Sequence, residues 1–156
     1  MQNLINQIHK LLLKSQQTLS IAESCTSGLL SSLLTQLPGS SSYFLLGITA
    51  YSNNSKQNIL KVPSSIIKKK GAVSQEVARL MSQNVQKLGH ADIGIAITGI
   101  AGPTGATARK PIGLVFIAFT KKNKTICRKF IFKGNRSSIR KQATSKTLKL
   151  LKQFII

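Results

Sequence analysis

The chain has 156 residues, 42% of them apolar, which is enough for a domain with a buried core. Its 23 Lys and Arg residues far outnumber three acidic residues and give a formal net charge of +20. Such a surface would bind polyanions non-specifically at low salt. A dedicated nucleic-acid-binding protein is less favoured, because aromatic residues make up only 5% of the chain and no RNP-type or zinc-finger pattern occurs.

The sequence carries no signal for export or for a membrane span. No stretch approaches about 18 uninterrupted apolar residues. The apolar start LINQIHKLLLK has polar breaks at helical spacing, unlike a signal peptide. Cys25 and Cys127 lie far apart without a CxxC pattern, which argues against a disulfide framework or a zinc site. We therefore predict one cytoplasmic domain over residues 1–156, with no membrane partner.

Helical and strand patterns alternate along the first half of the chain. The predicted elements are a helix over 3–14, a strand over 18–24, a helix from Thr26 to Gln36, a strand over 43–52 and a short helix over 53–61. Pro38 and Gly39 follow the second helix as stop signals.

The second half continues the alternation. SSIIKKKG is a short helix or turn, and Ser74 is a good N-cap for a helix that runs to about Leu88, with Glu76 favourable in its first turn. The remaining predicted elements are a strand in ADIGIAITGIAG, a hairpin of IGLVFIAFT and TICRKFIFKG about 121–124, and a basic helix from Arg136 towards Phe154. This order predicts an α/β fold, a three-layer α/β/α sandwich with a mainly parallel mixed sheet.

Three polar segments each follow a predicted strand, where α/β proteins place their ligands. They are ESCTSG at 23–28, AYSNNSK at 50–56 and TGIAGPTGA at 98–106. A helix that begins near Thr26 would offer unpaired backbone N–H groups to an anion or an oxyanion. For Ser24 and Thr26, ordinary helix capping is the simpler interpretation when the segment is considered alone.

The titratable side chains of these segments have both chemical and structural interpretations. Cys25 could be a nucleophile at a helix start, but it needs a base, and the histidines His9 and His90 are better explained as surface residues of helices. A buried structural role for Cys25 is favoured. Lys56 could serve as a base for a serine if burial lowered its pKa. Taken alone, Lys56 is one surface lysine among many.

The glycine-rich loop resembles a phosphate-binding loop only loosely, since it lacks both the GK[ST] ending and GxGxxG spacing. Arg136 and Arg140 lie four residues apart on one predicted helix face, where they could grip a phosphate. A solvated basic face is the structural alternative for this pair.

In combination, the segments carry a more specific signal. The chain resembles the CinA C-terminal domain family in IAESCTSGLLSSLLTQLPGSSSYF, GITAYSNNSKQNILKVP, GAVSQEVARLM, ADIGIAITGIAGPTGATARKPIGLVFIAF and FKGNRSSIRKQAT, which occur in that order. That family includes nicotinamide mononucleotide deamidases. The resemblance implies hydrolysis of the carboxamide of nicotinamide mononucleotide to nicotinic acid mononucleotide and ammonia, in pyridine nucleotide recycling, with no metal or other cofactor.

The resemblance also implies roles for particular residues. Ser24 would be the nucleophile, Lys56 its base, and Tyr51 an aid to proton transfer. Glu23 would orient a hydroxyl or a backbone donor from behind the site. The substrate would be held, and its oxyanion stabilised, by residues of the three segments and of the last helix: Thr26, Gly28, Thr98, Gly99, Gly102, Arg136 and Arg140.

The chain departs from the usual family pattern at three places. Ser27 stands where the family has a glycine, and a side chain there would be strained if the position needs a positive φ. The loop over 104–109 lacks the usual further glycines and an acidic residue, and Leu45 and Leu46 stand where small residues are common. We expect retained chemistry, with efficiency and substrate range set by these changes.

An alternative of another class stays open. A non-catalytic nucleotide- or nucleic-acid-binding protein could keep this fold and use its basic surface. The joint presence of Ser24 and Lys56 favours the amidase. A segment such as SSYFLL could support a homodimer, although periodicity does not show one.

Overall fold

A five-stranded mixed sheet forms the centre of the computed structural model, which describes residues 1–155. The strands are β1 Leu19–Glu23, β2 Phe44–Thr49, β3 Ile93–Gly99, β4 Leu114–Lys121 and β5 Lys124–Ile131. They lie in the order β2-β1-β3-β4-β5. β1 pairs in parallel with β2 and β3, whereas β4 is antiparallel to β3 and β5. β5 therefore points in the same direction as the three parallel strands.

Helices cover both faces of this sheet. They are α1 Gln2–Ser15, α2 Leu29–Thr35, α3 Asn53–Asn58, α4 Ser64–Lys70, α5 Gln75–Leu88 and α6 Arg136–Ile155, with a 3₁₀ turn at Ser40–Ser42. The core on one face joins the sheet to α1, α2 and α6, and the core on the other joins it to α4 and α5. The predicted three-layer α/β/α architecture is confirmed.

The alternation of side chains along β3 explains how the two layers differ. Ile93, Ile95 and Ile97 pack into the core beneath α1 and α6. Gly94 faces the opposite side, where a Cβ atom would come within 2.1 Å of the Ser82 carbonyl oxygen of α5. The absence of a side chain at Gly94 therefore allows α5 to lie directly on the sheet.

Several local signals produce the structures that they predict. The Ser74 side chain accepts a hydrogen bond from the Val77 N–H at 3.3 Å and caps α5. The hairpin forms between Lys121 and Lys124, with Lys122 in the left-handed region at φ 54°. No helix in residues 1–155 is both long and apolar enough to cross a membrane.

Candidate active site

The carboxyl ends of β1, β2 and β3 meet at one edge of the sheet, and this places the three polar segments together. β5 ends at the same edge because it runs in the same direction, so the chain that follows it brings Arg136 to the site. β1 continues to α2 on one face of the sheet, while β2 continues through α3, α4 and α5 on the other. A cleft opens between these diverging connections.

Ser24 and Lys56 are in direct contact at the floor of the cleft. The Lys56 Nζ atom lies 3.0 Å from Ser24 Oγ. It also donates hydrogen bonds to the carbonyl oxygens of Ala50 at 2.9 Å and of Tyr51 at 3.1 Å. Lys56 comes from α3, whose first turn is closed by Ser52 accepting from the Ser55 N–H at 3.0 Å. The short capped helix therefore aims Lys56 back towards the end of β1.

Lys56 is only 2% exposed, and Ser24 is 7% exposed. Burial lowers the pKa of the Lys56 ammonium, because the charged form loses its hydration in the interior. A neutral amine at this position would still donate two hydrogens to the two carbonyl oxygens. Its lone pair would then face the Ser24 hydroxyl, which is the arrangement that a general base needs.

Glu23 is completely buried at the end of β1 and accepts four hydrogen bonds. Its carboxylate receives the backbone N–H groups of Gly28 and Leu30 at 3.1 Å each, and that of Ser31 at 2.8 Å. The Ser31 hydroxyl donates to it at 2.7 Å. The donors satisfy the carboxylate and fix the path of the chain from Ser24 to α2.

The prediction that α2 begins near Thr26 is wrong. The helix begins at Leu29, after a turn over 25–28. The backbone N–H groups expected to bind an anion at its start are taken by the Glu23 carboxylate. The reason is that a buried carboxylate needs several donors, and the start of α2 is the nearest source of them.

Ser27 adopts φ 49°, in the left-handed region. The position therefore does require the positive φ that a glycine would adopt without strain. The side chain of Ser27 is exposed, and its hydroxyl donates a hydrogen bond to the Ser24 carbonyl oxygen at 3.2 Å. This bond stabilises the left-handed conformation of Ser27. Gly28 follows with φ 87°.

The cleft beside Ser24 has a volume of about 310 Å³. Seven of the predicted site residues line it: Ser24, Tyr51, Lys56, Thr98, Gly99, Gly102 and Arg136. The wall opposite Ser24 is the loop that follows β3. Cys25, Ala101 and Gly102 also line this space, and within residues 1–155 their backbone N–H groups donate no hydrogen bond to another residue.

Close packing at Gly99, the last residue of β3, and a positive φ at Gly102, in the loop that follows, explain these two glycines. A Cβ atom at Gly99 would lie 2.7 Å from Val115 Cγ2 and 3.1 Å from the Cys25 sulfur. Gly102 has φ 78°, which favours glycine. Thr98 is held in place by its hydroxyl, which donates to the carbonyl oxygen of Ala72, another residue of the cleft, at 2.9 Å. These contacts give the wall of the cleft a fixed shape.

Arg136 lies at the mouth of the cleft, in the first turn of α6. Its guanidinium donates to the Gly102 carbonyl oxygen at 2.8 Å and to the Tyr51 hydroxyl at 2.6 Å. Tyr51 is 54% exposed, and within residues 1–155 its hydroxyl contacts neither Ser24 nor Lys56. Assistance to proton transfer by Tyr51 therefore stays a prediction. In the structure, the Tyr51 hydroxyl positions Arg136, and the backbone carbonyl of Tyr51 positions Lys56.

Arg140 does not line the cleft. One turn further along α6, its guanidinium donates to the Thr26 carbonyl oxygen at 2.9 Å. Thr26 is completely buried and, like Gly28, lies behind the cleft rather than in its wall. Arg140 therefore holds the turn that follows Ser24, and of the predicted arginine pair only Arg136 faces the cleft.

Cys25 is 5% exposed, as its expected structural role requires. Burial raises the pKa of its thiol to about 11, so the nucleophilic thiolate is scarce near neutral pH. The histidines lie elsewhere: His90 is exposed, whereas His9 is half-buried and its Nδ1 atom lies 3.0 Å from the Tyr43 hydroxyl. The expectation that His9 is a plain surface residue is wrong, because it packs against Tyr43.

Sequence reasoning did not single out several residues of the cleft. Asn53 belongs to the AYSNNSK segment and could have been included from its place beside Tyr51. Ala72 and Val73 enter from the connection between α4 and α5, and only their place in the GAVSQE motif signalled them. Among residues 1–155, no three His, Cys, Asp or Glu side chains are grouped as a metal site would require.

A family model described as the CinA C-terminal domain matches residues 1–155. The chain belongs to this family. The structure is similar to that of the competence/damage inducible protein CihA from Agrobacterium tumefaciens, with 32% identity and a TM-score of 0.93 over 96% of this chain and 92% of that one. A CinA superfamily protein from Escherichia coli is 29% identical, with a TM-score of 0.91 over 97% of this chain and 91% of that one.

Longer relatives share the same region. A CinA-like protein from Syntrophus aciditrophicus is 45% identical over 146 residues, which are 93% of this chain and 35% of that protein. A CinA-like protein from Desulfotalea psychrophila is 43% identical over 145 residues, again 93% of this chain and 35% of that protein. The chain therefore spans about a third of the length of these curated relatives.

Proposed function

We propose that this CinA-family chain is a nicotinamide-nucleotide amidase, which hydrolyses the carboxamide of nicotinamide mononucleotide through a serine nucleophile and a lysine base. The observation that carries the proposal is the 3.0 Å contact between the buried Lys56 Nζ and Ser24 Oγ. A surface lysine would not be enclosed in this way. A nucleophile in contact with its base is the minimum that covalent hydrolysis needs.

In the first half of the reaction, Ser24 Oγ attacks the carboxamide carbon while the neutral Lys56 amine accepts the hydroxyl proton. The tetrahedral intermediate then loses its C–N bond. Lys56 returns the proton to the departing nitrogen, which leaves as ammonia. The acyl group stays on Ser24 as an ester.

In the second half, water attacks the ester carbon and gives a proton to Lys56. The bond from the acyl carbon to Ser24 Oγ breaks, and Lys56 protonates the serine oxygen. The acid product leaves with the enzyme restored. Each half uses Lys56 first as a base and then as an acid, so its lowered pKa serves both transfers.

The negative oxygen of each tetrahedral intermediate needs donors that are already in place. Cys25 directly follows the nucleophile, Ala101 and Gly102 line the same cleft, and the unpaired N–H groups of these three residues would supply the donors. One such donor is worth about 10²–10³ in rate. Arg136 would bind the ribose phosphate with the N–H groups that Gly102 and Tyr51 leave free.

The experiment that tests the proposal is incubation of the purified protein with nicotinamide mononucleotide, with ammonia and nicotinic acid mononucleotide measured together. Equal amounts of the two products support the amidase. If a folded preparation releases neither product but binds DNA in a salt-sensitive manner, the non-catalytic binding protein replaces it.

A further inference from the structure

A second cleft adjoins the candidate active site and has no part in the proposed hydrolysis. Its volume is about 650 Å³, compared with about 310 Å³ for the cleft at Ser24. The two clefts share four lining residues, Ala72, Val73, Ile100 and Gly105. A ligand bound at Ser24 could therefore extend into the second cleft without leaving the protein surface.

The second cleft combines an apolar floor with a cationic rim. The shared residues Ala72, Val73 and Ile100 supply apolar surface. Four cations surround them, namely Lys69, Lys70, Arg109 and Lys110, and within residues 1–155 no carboxylate lines the cleft. Apolar surface suits the flat face of a base, and the cations suit phosphate.

Two of these cations have structural roles. Lys70 forms an ion pair with Glu76 at 3.1 Å. The Lys110 ammonium donates to the Lys70 carbonyl oxygen and to the Val73 carbonyl oxygen, the second at 2.7 Å, so it ties the loop over 104–109 to the end of α4. These contacts of Lys70 and Lys110 hold one wall of the second cleft in place.

Lys69 and Arg109 remain available to a ligand. Both are exposed, and neither forms an ion pair or a side-chain hydrogen bond within the part of the chain that the structure describes. Under the proposed function, a phosphate bound near Ser24 would already have Arg136, which lines that cleft, as its cation. The second pair of cations therefore fits a second phosphate.

We propose that the cleft at Lys69 and Arg109 binds the second phosphate and the attached nucleoside of a pyrophosphate-linked dinucleotide, whose nicotinamide end lies at Ser24. The ligand spans both clefts. This inference rests on the proposed function for the placement of the nicotinamide, whereas the second cleft and its cations are independent of it.

The test is calorimetric titration of the full chain carrying Ser24→Ala, so that no ligand is consumed. Nicotinamide adenine dinucleotide, nicotinamide mononucleotide and adenosine diphosphate are titrated separately. Lys69→Glu and Arg109→Glu should each weaken dinucleotide binding by about 10-fold, as expected for loss and reversal of one charge-assisted contact. The mononucleotide Kd should change by less than about 2-fold, since its phosphate contacts Arg136.

Lys68→Glu is the matched control, because Lys68 is exposed in the same turn of α4 but does not line the cleft. The proposal would be overturned if Lys68→Glu weakened dinucleotide binding as much as Lys69→Glu and Arg109→Glu do. It would also be overturned if those two variants weakened mononucleotide and dinucleotide binding equally. Dinucleotide binding that is no tighter than mononucleotide binding would overturn it as well. Adenosine diphosphate separates the two proposals: its binding, lost in Arg109→Glu, supports the second cleft even if the amidase proposal fails.

Discussion

The Tyr51 hydroxyl accepts a 2.6 Å hydrogen bond from Arg136, a residue 85 positions later in the chain. This contact joins the segment after β2 to the start of α6 across the mouth of the cleft. The same guanidinium reaches the Gly102 carbonyl oxygen at 2.8 Å. Three separate segments thus meet at Arg136, and the arginine has donors left for a substrate phosphate.

We predict that Arg136→Ala raises KM for nicotinamide mononucleotide by about 10- to 100-fold, since a hydrogen bond to a charged group is worth about 1.5–3 kcal/mol. The value of kcat should change little, because Arg136 contacts neither Ser24 nor Lys56. Steady-state kinetics with Arg136→Lys as a partial-rescue control will measure this. A large loss of kcat at unchanged KM would place Arg136 in the chemistry instead.

Tyr51→Phe separates the two roles considered for this tyrosine. It removes the acceptor for Arg136 and leaves the backbone carbonyl that holds Lys56. From the geometry we expect a rise in KM and a nearly unchanged kcat. If the hydroxyl moves closer during the reaction and assists proton transfer, kcat should instead fall by about 100-fold, as for the loss of a general acid or base.

Another prediction concerns Lys56. Lys56→Met should lower kcat by about 10²–10⁴-fold, the usual contribution of a general base. Lys56→Arg should not restore activity, because arginine stays protonated at every working pH. In the wild type, kcat/KM should rise with pH as the Lys56 ammonium, whose pKa burial lowers, loses its proton. A pH profile that is flat from neutral to alkaline pH would contradict the base role.

The pKa of Lys56 also makes a prediction about stability. Because its pKa is lower in the folded chain than in the unfolded chain, the unfolded chain binds more protons between the two pKa values. The free energy of unfolding should therefore increase with pH between the two pKa values. Over this range folding no longer requires burial of a charged Lys56 ammonium. Urea denaturation of the wild type and Lys56→Met across this pH range will show whether the increase depends on Lys56.

A separate prediction concerns Glu23. Glu23→Gln keeps the size of the side chain but replaces one acceptor oxygen with an NH₂ group that faces backbone donors. We expect the free energy of unfolding to fall by about 1–3 kcal/mol, the usual cost of unsatisfied buried polar groups. Activity should fall as well, since the same contacts fix the turn after Ser24. Unchanged melting temperature and kinetics would rule out the role assigned to Glu23.

A further prediction concerns Ser27 and its φ of 49°. Ser27→Gly should leave stability within about 1 kcal/mol of the wild type, because relief of the left-handed strain offsets the lost hydrogen bond to Ser24. Ser27→Val should be clearly less stable than Ser27→Gly, since a β-branched residue is poorly tolerated there. Equal stability of the two variants in urea would contradict a conformational requirement at this position.

The sequence predicted the elements well where the signal was local. Apolar spacing located β1, β3 and α5, and the Ser74 cap marked the start of α5 to the residue. The prediction from sequence failed at the start of α2. The backbone N–H donors of Leu30 and Ser31 there are taken by Glu23, which precedes them by seven and eight positions. Helix-start rules consider the residues next to the first turn and do not include such a contact.

Prediction of the site from the sequence also succeeded only in part. Motif order brought Ser24, Tyr51, Lys56 and the loop after β3 together, and the structure does place them around one cleft. The separation of Arg136 from Arg140 was not predictable, since both lie on one face of α6. One helical turn, about 5.4 Å, decides that Arg136 reaches the cleft and Arg140 reaches Thr26.

The most direct test of the account is ammonia release from nicotinamide mononucleotide by Ser24→Ala, compared with the wild type and with Ser32→Ala. Ser32 is exposed in α2 and makes the same chemical change away from the cleft. The proposed mechanism predicts release by the wild type and by Ser32→Ala, and none above background by a folded Ser24→Ala protein. Undiminished release by Ser24→Ala would contradict the serine nucleophile on which the proposed mechanism depends.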